Sequence, residues 1–202
     1  RYMAASIAAH DFIRSGGLGR VNNISFGGQH ALNYGVRPAW YFEEGKQGGT
    51  INDLAIHGID LVRYITGLGI SRVLSARCWN AYARAVPHFK DSAQFMVELD
   101  GGAGLIADVS YSMPKVKGFS PKQTWRFTIW GEKGILEFNC ADNLVELTLN
   151  GEEKLKIIKN ENSASNPMCD FLADIECKGR ELDTQNVIKS TRDTLLIQQA
   201  SL

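Results

Sequence analysis

The sequence predicts an α+β domain: one largely antiparallel β-sheet with helices packed on one face. Three observations carry this. Period-two alternation fills the middle of the chain. Helical periodicity is confined to its two ends and to the segment Gly48–Gly67. Turn dipeptides separate the strands. With 202 residues, positions 1–202 are expected to form a single domain with enough apolar sequence to bury a core.

The elements follow in order. Ala5, Ala8, Ala9, Phe12 and Ile13 recur at helical spacing, and Gly16 stands where that helix ends. The following SGGLGRV is a helix exit and not a phosphate loop, because a dinucleotide fingerprint follows a strand and opens a helix. From Val21 the period becomes two, with Ile24 and Phe26 on one side and Asn23 and Ser25 on the other. After Gly67, strands are predicted at Val73–Trp79, Ala93–Leu99, Ala103–Tyr111, Trp125–Trp130, Gly134–Phe138, Leu144–Leu149 and Lys154–Ile158. Asp100-Gly101 reads as a tight hairpin, and Asp142-Asn143 and Asn150-Gly151 as turns. Lys115–Gln123 and Asn160–Pro167 read as loops. Helical spacing returns at Met168, Phe171, Leu172 and Ile175, and again from Val187 to the end. A sheet covered on one side leaves an open face, for which a homo-oligomer contact is expected.

Composition narrows the function. Lys plus Arg and Asp plus Glu both number 22, so the formal charge is zero. The electrostatic footprint of a nucleic-acid binder is missing, as is any basic run suited to an anionic membrane surface. No stretch approaches the roughly twenty apolar residues of a membrane helix. Cys78, Cys140, Cys169 and Cys177 have neither zinc-ribbon nor C-x-x-C redox spacing, and read as buried free thiols of a cytoplasmic protein. The chain opens at Arg1 without methionine and stops inside a helical pattern, so it is expected to be an excised domain.

The segment GGTINDLAIHGIDLVRYITG, Gly48–Gly67, concentrates the candidate chemistry. A helix places residues three and four apart on one face, which sets Asp53, His57 and Asp60 along one stripe. A carboxylate beside an imidazole near a helix N-terminus makes an acid–base pair. The same residues also have structural readings. Thr50 with Asp53 resembles a capping box, His57 fits a core histidine, and Asp60 fits a solvated charge. Upstream, Arg37 suits clamping an anion or standing solvated in a loop, and Trp40 and Tyr41 suit stacking on a sugar or packing in a core. His10, His30 and His88 lie in different elements with nothing to show that they converge. Asp53 and His57 lack an evident third partner, so no metal is expected.

Several motifs together resemble one family. GGTINDLAIHGIDLVRYITG is similar to the G-G-x-x-x-D-x-x-x-H-x-x-D helix of the glucose–fructose oxidoreductase / inositol dehydrogenase / rhizopine-catabolism (Gfo/Idh/MocA) family. FIRSGGLGRV resembles the entry to that family's second domain, WYFEEGKQGG the approach to the glycine turn, and WGEKGILEF a late strand pair. The resemblance runs in order along essentially the whole chain. It implies a glyceraldehyde-3-phosphate-dehydrogenase-like C-terminal fold that binds substrate and mediates oligomerisation. It also implies an N-terminal Rossmann domain, absent from this chain, that holds NAD or NADP and supplies a lysine from an E-K-P motif. Neither that motif nor G-x-G-x-x-G occurs here, so the isolated chain is expected to be inactive.

By the same resemblance Asp53 and His57 are the catalytic pair. His57 is the general base for a sugar or polyol hydroxyl, and Asp53 orients the imidazole or the substrate. Arg37, Trp40, Tyr41 and Asp60 are further substrate-binding candidates, and Arg1 and Tyr2 fall near the expected domain junction. A non-catalytic ligand-binding or assembly module of the same fold is the alternative. Elimination or glycoside cleavage through transient oxidation would use the same parts.

Overall fold

A computed structural model describes residues 1–163, 165–178 and 182–202. Its frame is an eight-stranded sheet: β1 (Val21–Gln29), β2 (Ile70–Trp79), β3 (Ser92–Leu99), β4 (Gly104–Ser110), β5 (Arg126–Gly131), β6 (Gly134–Asn139), β7 (Leu144–Leu149) and β8 (Lys156–Lys159). The strand order is β2-β3-β4-β1-β5-β6-β7-β8. Every pairing is antiparallel except β1 with β4, which run parallel with Gln29 opposite Ser110. That pair brings two strand C-termini to the same rim of the sheet.

The helices are α1 (Ala4–Arg14), α2 (Ile56–Thr66), α3 (Pro167–Ile175) and α4 (Thr184–Ala200) among the described residues. Alternation decides which face they cover. Phe95, Val97, Leu105, Ala107 and Val109 are buried, whereas the intervening Gln94, Met96, Ile106 and Asp108 are exposed. Helix α1 lies over β6, β7 and β8 and against α2. Helix α2 crosses β1 and touches α4, which in turn rests on β2. Small residues Ala5, Ala8 and Ala9 on α1 are buried in this layer. Phe26, Phe127 and Phe138 form a ladder beneath the helices, with successive ring centroids 5.5 and 4.8 Å apart. Full burial of such rings stabilises by roughly 1.5–3 kcal/mol each. Gly58 is the close approach of α2 to the sheet: a Cβ there would lie 2.3 Å from the Phe26 ring.

Several boundaries differ from the sequence reading for physical reasons. Strand β2 begins at Ile70, because register shifts between Ile70 and Arg72 and between Val73 and Ser75 break the alternation that marks a strand. The Asp100-Gly101 hairpin is a three-residue turn, Asp100–Gly102, with both glycines left-handed. Trp125 precedes β5 in a left-handed conformation, φ 51°, instead of opening the strand. Pro167 leaves the predicted loop to become the first residue of α3, behind Asn166, whose side chain accepts from Met168 and Cys169 N–H. Ala164, in the same predicted loop, lies outside the described residues. Helix α4 starts at Thr184, capped by Asp183.

Candidate active site

The predicted helix over Gly48–Gly67 begins with a π-turn, Ile51–Ala55, before continuing as α2. Gly48 and Gly49 have φ of 84° and 101°, a backbone that residues with a Cβ rarely adopt. Gly49 also admits the Gln198 side chain from α4, whose Oε1 accepts from Ile51 N–H at 3.2 Å. Thr50 turns away and donates its hydroxyl to the Lys90 carbonyl. The capping-box reading therefore gives way: Gln198 serves the helix start, and the Asp53 carboxylate is released for other partners. π-turns concentrate at functional sites.

Asp53 faces two tyrosines. Tyr41 and Tyr111 both donate to its Oδ2, and their own hydroxyl oxygens lie 2.7 Å apart. Gln47 donates to Tyr111 Oη at 2.7 Å. Two phenolic protons thus serve three oxygen–oxygen contacts. Burial, followed by the bond to Asp53, pushes the ionisation of both phenols upward, so they remain donors. Among the described residues nothing bonds Asp53 Oδ1, and no hydrogen bond joins Asp53 to His57. Of the two roles expected for Asp53, orienting the imidazole or the substrate, the carboxylate held on phenols leaves Oδ1 open for the second.

His57 is exposed. Its ring stands edge-on to Trp125, centroids 5.6 Å apart at 88°. Trp125 makes a similar contact with His30, 5.8 Å at 74°, and donates its indole N–H to His30 Nε2 at 3.1 Å. His30 is held below the ordinary histidine range by burial, then by the charges of His57 and Arg37, with Asp53 opposing. His30 therefore belongs to this cluster, against the expectation that it stands apart. His10 and His88 do not join it. His10 stacks on Tyr64 at 4.4 Å, and His88 Nε2 meets the Phe42 carbonyl at 2.8 Å.

The remaining candidates separate. Arg37 donates through Nε to the Leu32 carbonyl at 3.0 Å, and its guanidinium lies 4.3 Å from the Tyr41 ring centroid. Trp40 is 52% exposed beside Tyr41. Tyr41 is only 6% exposed, so it positions Asp53 and presents no face for sugar stacking. Asp60 is bound elsewhere: Arg1 grips both its oxygens at 2.9 and 2.6 Å, and Ser190 donates to Oδ1 at 2.9 Å. Those contacts hold its carboxyl below the usual range against the opposing effect of burial. It ties the chain start to α2 and α4 and binds no part of the Asp53 cluster.

The sequence reading sets His30 apart from the site and gives Tyr111, Trp125 and Gln47 no role in it. Parity along the strands carried a partial signal. His30 continues the inward series Ile24, Phe26, Gly28, and Tyr111 continues Leu105, Ala107, Val109. Only the parallel β1–β4 pairing delivers both to one rim, where His30 N–H donates to the Ser110 carbonyl at 2.8 Å.

Among the described residues no group of three His, Cys, Asp or Glu side chains could hold a metal ion, and no helix is long and apolar enough to cross a membrane. An exposed imidazole and a carboxylate with one open oxygen can each accept a proton or a hydrogen bond. The glycine turn leads into Gln198, whose Oε1 takes the Ile51 N–H.

Solved structures share the whole architecture. A putative oxidoreductase from Erwinia carotovora atroseptica SCRI1043 is 25% identical, with a TM-score of 0.84 over 100% of this chain and 61% of its own. An aldose-aldose oxidoreductase from Caulobacter crescentus, complexed with glycerol, is 21% identical, with a TM-score of 0.76 over 100% and 59%. A levoglucosan dehydrogenase in complex with NADH and L-sorbose is 15% identical, with a TM-score of 0.77 over 98% and 61%. The chain spans about three-fifths of the length of these proteins. No curated protein matches by sequence. The GFO/IDH/MocA C-terminal domain model matches residues 7–137, and the chain belongs to that family.

Proposed function

We propose that this chain is the substrate side of a nicotinamide-dependent oxidoreductase acting on a secondary alcohol of a sugar, polyol or sugar derivative. The observation that carries the reading is one exposed imidazole, His57, a helical turn from a carboxylate with one oxygen committed and one open. His57 accepts the hydroxyl proton as general base. Asp53 Oδ1 accepts a hydrogen bond from a substrate hydroxyl, while the tyrosines keep the carboxylate oriented. Half-exposed Trp40 offers an aromatic face, and Arg37 a donor array. NAD or NADP, held mainly by a further domain, supplies the hydride acceptor. The isolated chain is accordingly inactive in oxidation.

Neighbours bound to glycerol or to NADH and L-sorbose support the ligand class. The exposed Leu74, Met96 and Ile106 on the uncovered sheet face support a homo-oligomer contact there. The four cysteines are free but not buried as expected, with Cys169 and Cys177 exposed on or just after α3; free thiols suit a reducing cytoplasm. The test is reduction of NAD+ and NADP+ by the intact protein with a panel of polyols, aldoses and inositols. Alcohol-dependent appearance of reduced nicotinamide, abolished by His57→Ala, is expected. Ligand binding without any reduction across the panel would favour a non-catalytic module.

A further inference from the structure

The cluster contains two imidazoles, and the structure treats them differently. His57 is exposed, on a helix. His30 is half-buried at the end of β1, with its backbone N–H on the Ser110 carbonyl and its carbonyl on Met113 N–H. Between them stands Trp125, whose indole N–H points at His30 Nε2. An acceptor nitrogen carries no proton, so this bond places the neutral imidazole's hydrogen on Nδ1. Among the described residues nothing accepts from that Nδ1. Protonating Nε2 would set N–H against N–H and would add a cation beside His57 and Arg37, in a half-buried place.

Trp125 is itself held at some cost. It has φ 51°, a conformation that a bulky side chain seldom adopts unless its surroundings over-determine it. Gly28 makes room for the ring, since a Cβ there would lie 2.6 Å from Trp125 Cζ3. A glycine inside a strand, a left-handed tryptophan and an imidazole acceptor all serve the same indole placement.

We propose that His30 is a second substrate-positioning residue, a permanently neutral donor presenting Nδ1–H to a substrate oxygen, and that Trp125 sets this role by occupying Nε2. The device partitions labour. Trp125 denies His30 the proton that His57 is free to take, so the two imidazoles never compete for it. The substrate part rests on the oxidoreductase reading above; the tautomer part does not. The groups facing His30 are His57 and Asp53 from the π-turn and α2, and Arg37 from the loop after β1.

The test uses the intact protein labelled with 15N-histidine, following imidazole nitrogens through the neutral pH range. His30→Gln assigns the His30 signals. Wild type is expected to show His30 as the Nδ1–H tautomer, without titration at the ordinary histidine position. Trp125→Phe retains an aromatic ring and removes the N–H; it should release that tautomer, so that the Nε2–H form becomes populated. With an alcohol that supports nicotinamide reduction, His30→Gln and Trp125→Phe should raise KM for the alcohol by about tenfold, the scale of one hydrogen bond. KM for the nicotinamide should not move. An Nε2–H tautomer or an ordinary titration of His30 in wild type overturns the proposal. So does an unchanged alcohol KM in folded His30→Gln. A locked tautomer in a protein that reduces no nicotinamide would leave the His30–Trp125 assignment standing and overturn the oxidoreductase reading instead.

Discussion

Asp53 and Asp60 stand seven residues apart on one continuous helical segment, and their surroundings give them opposite characters. Asp60 is gripped by a guanidinium through both oxygens and by a serine hydroxyl. Its charge is paired and both of its oxygens accept hydrogen bonds. Asp53 is held by two phenols on a single oxygen. Neutral donors orient a carboxylate without cancelling its charge, and the second oxygen keeps its capacity to accept. A carboxylate that is positioned but not neutralised suits binding, whereas one closed into an ion pair suits tethering. Residue type and helical spacing are the same for both, so the distinction comes from what the rest of the chain brings to each.

The largest expected effect lies at the Asp53 end. His57→Ala in the intact protein should lower kcat by about 10²–10⁴-fold, the range of a lost general base, with a far-ultraviolet dichroism spectrum matching wild type. A loss below about tenfold would remove His57 from proton transfer. Asp53→Asn should lower kcat/KM for the alcohol by about 10²-fold, because the amide forfeits the charge and one acceptor.

At the other end, Asp60→Asn should act on stability. Removing the carboxylate from Arg1, whose side chain is 6% exposed, is expected to cost about 2–4 kcal/mol. Denaturant unfolding measures it. A fall in kcat without a fall in stability would erase the contrast between the two aspartates. Gly58→Ala, between them, tests the packing that places His57. The added methyl meets the Phe26 ring, and a cost of about 1–3 kcal/mol is expected from overpacking.

The smallest effect is the pH dependence. Asp60 is held below the usual carboxylate range by Arg1 and Ser190. Asp91 is held there by the N–H groups of Ala81, Ala83 and Tyr82 and by Ser92. The unfolded chain then binds more protons than the folded one as acid is added. Their contribution is complete above about pH 4–5 and is lost as pH falls through the lowered folded values. Asp60→Asn should flatten the stability profile in that acidic window and leave its neutral limb parallel to wild type. An unchanged acid slope would show that Asp60 titrates alike in both states.

Much of the architecture was legible because periodicity is local. Alternation in Ala93–Leu99 and Ala103–Tyr111 sorted the covered face from the open one, and the Gly48–Gly67 pattern located the segment with Asp53 and His57. The site was only partly legible. Tyr41 read as either a sugar-stacking or a core residue; it is buried in the core, and its hydroxyl lies on Asp53. Thr50 and Asp53 read as a capping box, although Gln198 from the far end of the chain serves the helix start. Tyr111 and Trp125 had no assigned role and His30 read as standing apart, because each approaches Asp53 or His57 through pairing between strands distant in sequence.

By itself the sequence determined the element types, the buried face and, through the motif on one helix, the family. These depend on side-chain spacing within one element, which pitch and pleat impose on any chain. Tertiary structure decided which polar groups meet. The parallel β1–β4 pair brought His30 and Tyr111 to one rim, and the left-handed turn at Trp125 set an indole between two histidines. A hydrogen bond requires its partners within about 3 Å, and no local pattern specifies such a meeting between residues far apart in the chain.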